Sequence, residues 1–243
     1  MHGEVRLVDS VPDALARLVL DRLAGRGSDE GRADGPFSLF LSGGSTAEEA
    51  YRRLAEVSTA EGAPGWDRVD VYLGDERCVP PEDPDSNHRM IAHTLLDAVG
   101  PVRSDNPMYR SGAPDQAAAD YQRLVAPLAH FDLVHLGVGP DGHTASLFPG
   151  SAALDIDDPD VLVVANRDPD ERNPHDRVTL TYPAIARARL VVFTVAGSSK
   201  SEAFGRIVAG DDLPAARVTA DEVLWLVDPD AAHGTAHGVG AAS

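Results

Sequence analysis

Asp141 and His143 stand two residues apart in Gly137-Val138-Gly139-Pro140-Asp141-Gly142-His143-Thr144. An imidazole exchanges protons near neutral pH, which suits it to general-base chemistry on water. The residues before them, Phe131 to Leu136, are apolar and strand-like, and they stop at a cluster of glycines and a proline. In an open α/β sheet, ligands bind beyond the carboxyl ends of the strands, where loops carry polar groups over a rigid platform. Gly137, Gly139 and Gly142 permit positive φ and a close backbone approach. Taken alone, the motif fits equally well a turn whose Asp141 and His143 only satisfy their own backbone. The other polar segments decide between these readings.

Three of them could hold an anion. The chain has 20 arginines and a single lysine, Lys200, which follows Gly197-Ser198-Ser199 between a strand and a helix. A compact ammonium at such a junction suits a phosphate. Ser42-Gly43-Gly44-Ser45-Thr46 ends a short buried strand, Phe37 to Leu41, and opens a helix that runs to about Val57. Such a turn offers free backbone N–H groups and the positive end of a helix dipole. A capping-box pattern occurs there twice, Ser45 with Glu48 and Thr46 with Glu49. Those glutamates oppose a phosphate, so the site needs cations brought from elsewhere. Arg77, just past the strand Val69 to Leu73, can clamp an oxyanion bidentately or pair with Asp75 or Glu82 on the surface.

The elements that must position these residues alternate along the chain. Pro12 to Leu23 has helical spacing of Leu15, Leu18, Val19 and Leu23. Gly25 to Gly35 is a polar connector expected to be mobile. Gly74 to Asn87 reads as a stiff, charged loop, followed by a helix from Asn87 to Val99 and another from Asp115 to Ala129. His88 and His93 read as packing or surface histidines. Past Gly150 come an acidic loop, a strand at Val161 to Ala165, a charged connector from Arg167 to Arg177, and a strand at Val178 to Thr181. A short helix starts at Tyr182-Pro183. Leu190 to Ala196 is a strand, Ser198 to Val208 a helix, and Val223 to Val227 a last strand. The pattern predicts one α/β domain over residues 1–230, with a mostly parallel sheet flanked by helices, and a disordered tail over 231–243.

Composition narrows the function. A length of 243 residues with 43% hydrophobic content supports one sizeable core. The net charge of -18 opposes nucleic acid or an acidic membrane as partner, though not a small anion. No apolar run reaches membrane-spanning length, and Met1-His2-Gly3-Glu4 lacks the regions of a signal peptide. The lone Cys78 excludes an internal disulfide and reads as a small apolar residue beside a loop. The expectation is a cytoplasmic monomer that binds a small molecule, with no metal and no cofactor.

Four segments agree in order: Leu41 to Thr46; Asp75-Glu76-Arg77-Cys78-Val79-Pro80 with Asp85-Ser86-Asn87; Gly137 to Pro149; and Arg177 to Thr181 followed by Lys200. From about Phe37 to Asp228 the chain resembles the 6-phosphogluconolactonases. Ala47 stands where that family usually has proline, and Gly74 where it often has an aromatic residue. The resemblance implies a Rossmann-like fold shared with sugar-phosphate isomerases, and hydrolysis of 6-phospho-D-glucono-1,5-lactone. His143 would then be the general base, with Asp141 orienting the imidazole or the water. Arg77 would clamp the oxyanion or carboxylate, with Asp75 shaping that corner. The phosphate would lie on Ser42 to Thr46, chiefly the amides of Gly43, Gly44 and Ser45, paired with Lys200 and with Arg177. The choice among Arg77, Arg167 and Arg177 stays open. Glucosamine-6-phosphate deaminases share the glycine turn and the Asp-Gly-His, but they continue with Asn-Glu-Pro where this chain has Leu147-Phe148-Pro149. A non-catalytic sugar-phosphate sensor is the remaining alternative; no basic helix-turn-helix precedes Phe37 to support it.

Overall fold

The computed structural model describes residues 1–25, 35–60 and 62–233. Its frame is a seven-stranded sheet in the order β1-β10-β9-β6-β2-β3-β5, with every neighbouring pair parallel. The strands are β1 (Glu4–Leu7), β2 (Phe37–Leu41), β3 (Val69–Leu73), β5 (Ser104–Asp105), β6 (Phe131–Gly137), β9 (Ala188–Val195) and β10 (Glu222–Val227). A parallel sheet covered on both faces requires near-continuous apolar strands. Accordingly, every residue of β2 and β3 is buried. Phe40 stacks on Tyr72 at 4.7 Å and lies 4.2 Å from Phe131, while Phe193 stacks on Trp225 at 3.9 Å.

The helices that cover the sheet are α1 (Val11–Gly25), α2 (Ser45–Ser58), α3 (Asn87–Ile91), α4 (Asp97–Val99), α5 (Pro114–Val125), α6 (Tyr182–Ile185), α7 (Ser201–Ala209) and α8 (Pro229–Ala232). A π turn over Ala92–Leu96 joins α3 to α4, so the helix expected from Asn87 to Val99 is continuous but bulged. The helix expected to reach Ala129 ends at Val125, two residues before Pro127.

Several expectations are corrected. Asp75–Arg77, read as loop, is a strand, β4, in a second sheet of order β4-β8-β7 with β8 (Arg177–Leu180) and β7 (Val163–Asn166), both pairs antiparallel. Three charged residues carry no periodic signal, and the partner strand lies a hundred residues away. The short edge strands β1 and β5 were likewise hidden. The double capping box does not form: Gly44 is the N-cap of α2, no side chain caps it, and Glu48 pairs with Arg52. Ala231 and Ala232, expected in the tail, belong to α8. Asp228 caps α8 through the Ala231 amide at 2.7 Å, and Ala231 is fully buried. The connector at 26–34 and the residues after 233 lie outside the described residues.

Among the described residues, no helix is long and apolar enough to cross a membrane. Cys78 is half-buried against the core, and burial pushes its thiol up to about 12, so it stays a protonated packing group.

Candidate active site

From β2 the chain runs to β3 on one side, and from β6 to β9 on the other, so a crevice opens where β2 and β6 lie side by side. The turns that leave β2, β3, β6 and β9 converge there on one pocket. It is lined by Ser42 to Thr46, by Asp75 and Arg77, by His143, by Arg177 and by Lys200. Segments far apart in the chain thus meet at one place. Of the remaining sequence-predicted residues, Asp141 is not part of the lining. It stands behind the His143 ring.

The histidine is held by its own turn. Gly139 N–H donates to the His143 carbonyl at 2.8 Å, and the Thr144 hydroxyl donates to the Gly137 carbonyl at 2.9 Å. Of the three glycines in this turn, Gly142 has positive φ, whereas Gly139 serves close approach: a Cβ there would lie 2.2 Å from the imidazole. Ala145 adopts φ 47°, a left-handed conformation uncommon for a non-glycine residue and typical of constrained functional turns. His143 Nδ1 lies 2.6 Å from Asp141 Oδ1, and Phe148 packs edge-on to the ring at 5.0 Å. Burial works to raise the Asp141 carboxyl, but the hydrogen bond and charge of His143 outweigh it and hold the group at about 2. With Nδ1–H given to the carboxylate, the lone pair of the ring is left on Nε2.

The anion-ready turn is fixed from outside. Asn87, in the first turn of α3, donates its amide to the Asp75 carbonyl at 2.9 Å and presses its oxygen against Gly43. A Cβ at Gly43 would sit 1.8 Å from that oxygen, so only glycine fits. Glu76 locks the same helix: it accepts from the amides of Arg77, Asn87 and His88 and from the Ser86 hydroxyl. Lys200 is the N-cap residue of α7, with no side-chain bond to the helix, and burial lowers its pKa against the opposing pull of Asp141. Asp228 reaches over to the Gly197 amide at 2.9 Å and ties down the turn that carries it.

The three arginines separate. Arg77 and Arg177 are register partners in the second sheet, so their guanidinium groups enter the pocket wall together. Arg77 pairs with neither Asp75 nor Glu82 among the described bonds; its Nη1 donates to the Asp85 carbonyl at 2.6 Å. Arg177 is buried and packs over Phe148 at 6.0 Å, and burial lowers its pKa. Arg167 is exposed, pairs with Asp176 and Glu171, and is absent from the lining. Asp75 is buried and accepts the Ser146 hydroxyl at 2.6 Å.

Three buried polar atoms of this pocket have no hydrogen-bond partner among the described residues: Ser42 Oγ, Asn87 Oδ1 and Arg177 Nε. Unpaired buried groups are costly, and these three are available partners for a polar ligand in the pocket. Sequence reasoning missed Asn87 and Ser146 as lining residues. Asn87 closes the Asp85-Ser86-Asn87 segment, which was the available signal.

The fold and pocket define a parallel α/β protein with a polar pocket beyond the carboxyl ends of its central strands. The sequence model described as glucosamine-6-phosphate isomerases/6-phosphogluconolactonase matches residues 10–225, and the chain belongs to that family. A 6-phosphogluconolactonase of Synechocystis sp. is 39% identical over 212 residues, which cover 81% of this chain and 84% of the relative. The crystal structure of 6-phosphogluconolactonase from Thermotoga maritima superposes with a TM-score of 0.76 at 28% identity, covering 93% of this chain and 99% of that one. A monomeric glucosamine-6-phosphate deaminase superposes with a TM-score of 0.75 at 21% identity, covering 94% and 98%. The fold is therefore common to both named activities and does not choose between them.

Proposed function

We propose that this chain hydrolyses 6-phospho-D-glucono-1,5-lactone to 6-phospho-D-gluconate, the second step of the oxidative pentose phosphate pathway. The observation that carries the reading is the His143–Asp141 pair, with Nδ1 engaged at 2.6 Å and the ring at the pocket wall. Water attacks the lactone carbonyl and gives its proton to His143 Nε2. The tetrahedral oxyanion is met by Arg77, whose guanidinium is steadied by the Asp85 carbonyl. Collapse of the intermediate breaks the bond to the ring oxygen, which takes the proton back from the imidazolium. Asp141 orients the ring and stabilises its charged form. Asp75, held by Ser146, accepts a sugar hydroxyl at that corner. The phosphate lies on the amides of Gly43, Gly44 and Ser45, opposite Lys200 and Arg177, and supplies the missing partners of Ser42 Oγ and Arg177 Nε.

The deaminase reading needs a further acid–base group to open a sugar ring and expel an amine. At the position where that pattern carries glutamate, this chain has Phe148, buried and packed on His143. Purified protein is expected to hydrolyse the lactone well above its spontaneous rate and to release no ammonia from glucosamine 6-phosphate. Ammonia release with lactone opening at background would overturn the assignment.

A further inference from the structure

Beneath the pocket a closed line of hydrogen bonds joins its two anion-facing turns through the core. Tyr51, on α2, accepts the Ser42 amide at 2.9 Å and lies 2.6 Å from His135 Nδ1. On the far side of the imidazole, Nε2 lies 2.8 Å from Thr194 Oγ1. Tyr51 and His135 are completely enclosed, with the rings edge-on at 5.5 Å. Thr194 is beside Gly137 in the β6–β9 register and lines the pocket. One end of the line is therefore the Ser42–Thr46 turn, and the other is the strand end that leads to Lys200.

The protons along this line can be counted. Burial pushes His135 down to about 3, so at neutral pH the ring carries one proton, and burial raises the Tyr51 phenol, which keeps its own. Between Tyr51 Oη and His135 Nδ1 there is room for a single hydrogen. A phenol O–H is a stronger acid than a neutral imidazole N–H, so the phenol donates. Its other acceptor, the Ser42 carbonyl, is farther away at 3.2 Å. The ring proton is then on Nε2 and is donated to Thr194 Oγ1. The hydroxyl hydrogen of Thr194 is left for the pocket, since His135 is its hydrogen-bond partner among the described residues.

We infer that Thr194 donates its hydroxyl hydrogen to the phosphate of the substrate, and that Tyr51 and His135 are positioning residues that set this polarity. The inference deepens the proposed reading of the Ser42–Lys200 pocket as a phosphate site and rests on it. In the opposite polarity, with the ring proton on Nδ1, Thr194 would donate to His135 and present only lone pairs to the pocket. An anion would then be repelled at that wall.

Two measurements on the intact protein test this, and neither requires turnover. The ¹⁵N ring signals of His135 at pH 7 are expected to show a protonated Nε2 and a bare Nδ1; the reverse pattern would overturn the inference. Binding of inorganic phosphate, followed by amide shifts of the Ser42–Thr46 turn, is expected to weaken roughly tenfold in Thr194→Val and to recover in Thr194→Ser, as befits a hydrogen bond to a charged group. A Thr194→Val protein that melts like the wild type and binds phosphate equally well would also overturn it. A wild type that binds phosphate but leaves the lactone unopened would refute the proposed reaction and leave this result standing.

Discussion

Replacing Asp141 by Asn removes a charge while keeping the shape and one oxygen for the His143 ring. The structure sets the size of the effect. The carboxyl is held at about 2, where an ordinary aspartate has 3.8. At about 1.4 kcal/mol per pH unit, the net lowering is worth roughly 2 kcal/mol; backbone amides share in it, and the His143 ring, the largest lowering partner, accounts for about 1–2 kcal/mol once partial access of water to the pair is allowed for. In the proposed reaction His143 gains positive charge as it takes the water proton, so that energy is felt mainly beyond the ground state. Asp141→Asn is therefore expected to lower kcat roughly 5- to 30-fold with KM little changed. A pH-stat that follows acid released per lactone opened measures both constants. The same variant tests the linkage. Because the folded-state value lies below the ordinary one, the Asp141 contribution is complete above about pH 4 and is lost as the pH falls from 4 toward 2. Asp141→Asn should flatten the melting curve against pH over that interval. A variant within twofold of the wild type in kcat, with an unchanged acid profile, would refute the claim that Asp141 acts through His143.

Lys200→Ala is expected to raise KM for the phosphorylated lactone by tenfold or more with a smaller effect on kcat, and Lys200→Arg to recover only part, since a planar fork does not replace a point charge; steady-state kinetics decide it. Gly43→Ala drives a methyl into Asn87 Oδ1, which the Asp75 carbonyl holds in place through the other amide atom. It should cost about 1–3 kcal/mol of stability and weaken phosphate binding, and a second change, Asn87→Gly, should restore much of both. Thermal melts and phosphate titrations of the single and double variants provide the check.

Much of this architecture was legible because a parallel sheet buried on both faces leaves apolar runs between short polar turns. Phe37–Leu41, Val69–Leu73 and Phe131–Gly137 announce themselves in that way. The site was legible for a related reason: its residues cluster directly after those runs. The second sheet was not, since β4 is three residues long and its partner β8 is distant in sequence. The capping of α2 was misread because Ser45 and Thr46 lie inside the helix and Gly44, at φ 101°, precedes it. Neither the role of Asn87 as a wedge against Gly43 nor the Tyr51–His135–Thr194 line could be read from spacing. Both join side chains from different elements, and only the packing of α2 and α3 on the sheet brings them together.

The most direct test of the whole account is the turnover of His143→Ala. Without the imidazole the lactone should still bind, because Lys200 and the Ser42–Thr46 turn are untouched. Attack by water then lacks a base. Lactone opening measured at saturating substrate is predicted to fall on the order of a hundredfold or more, with 6-phosphogluconate still bound. Turnover near the wild-type rate would contradict the account at its centre.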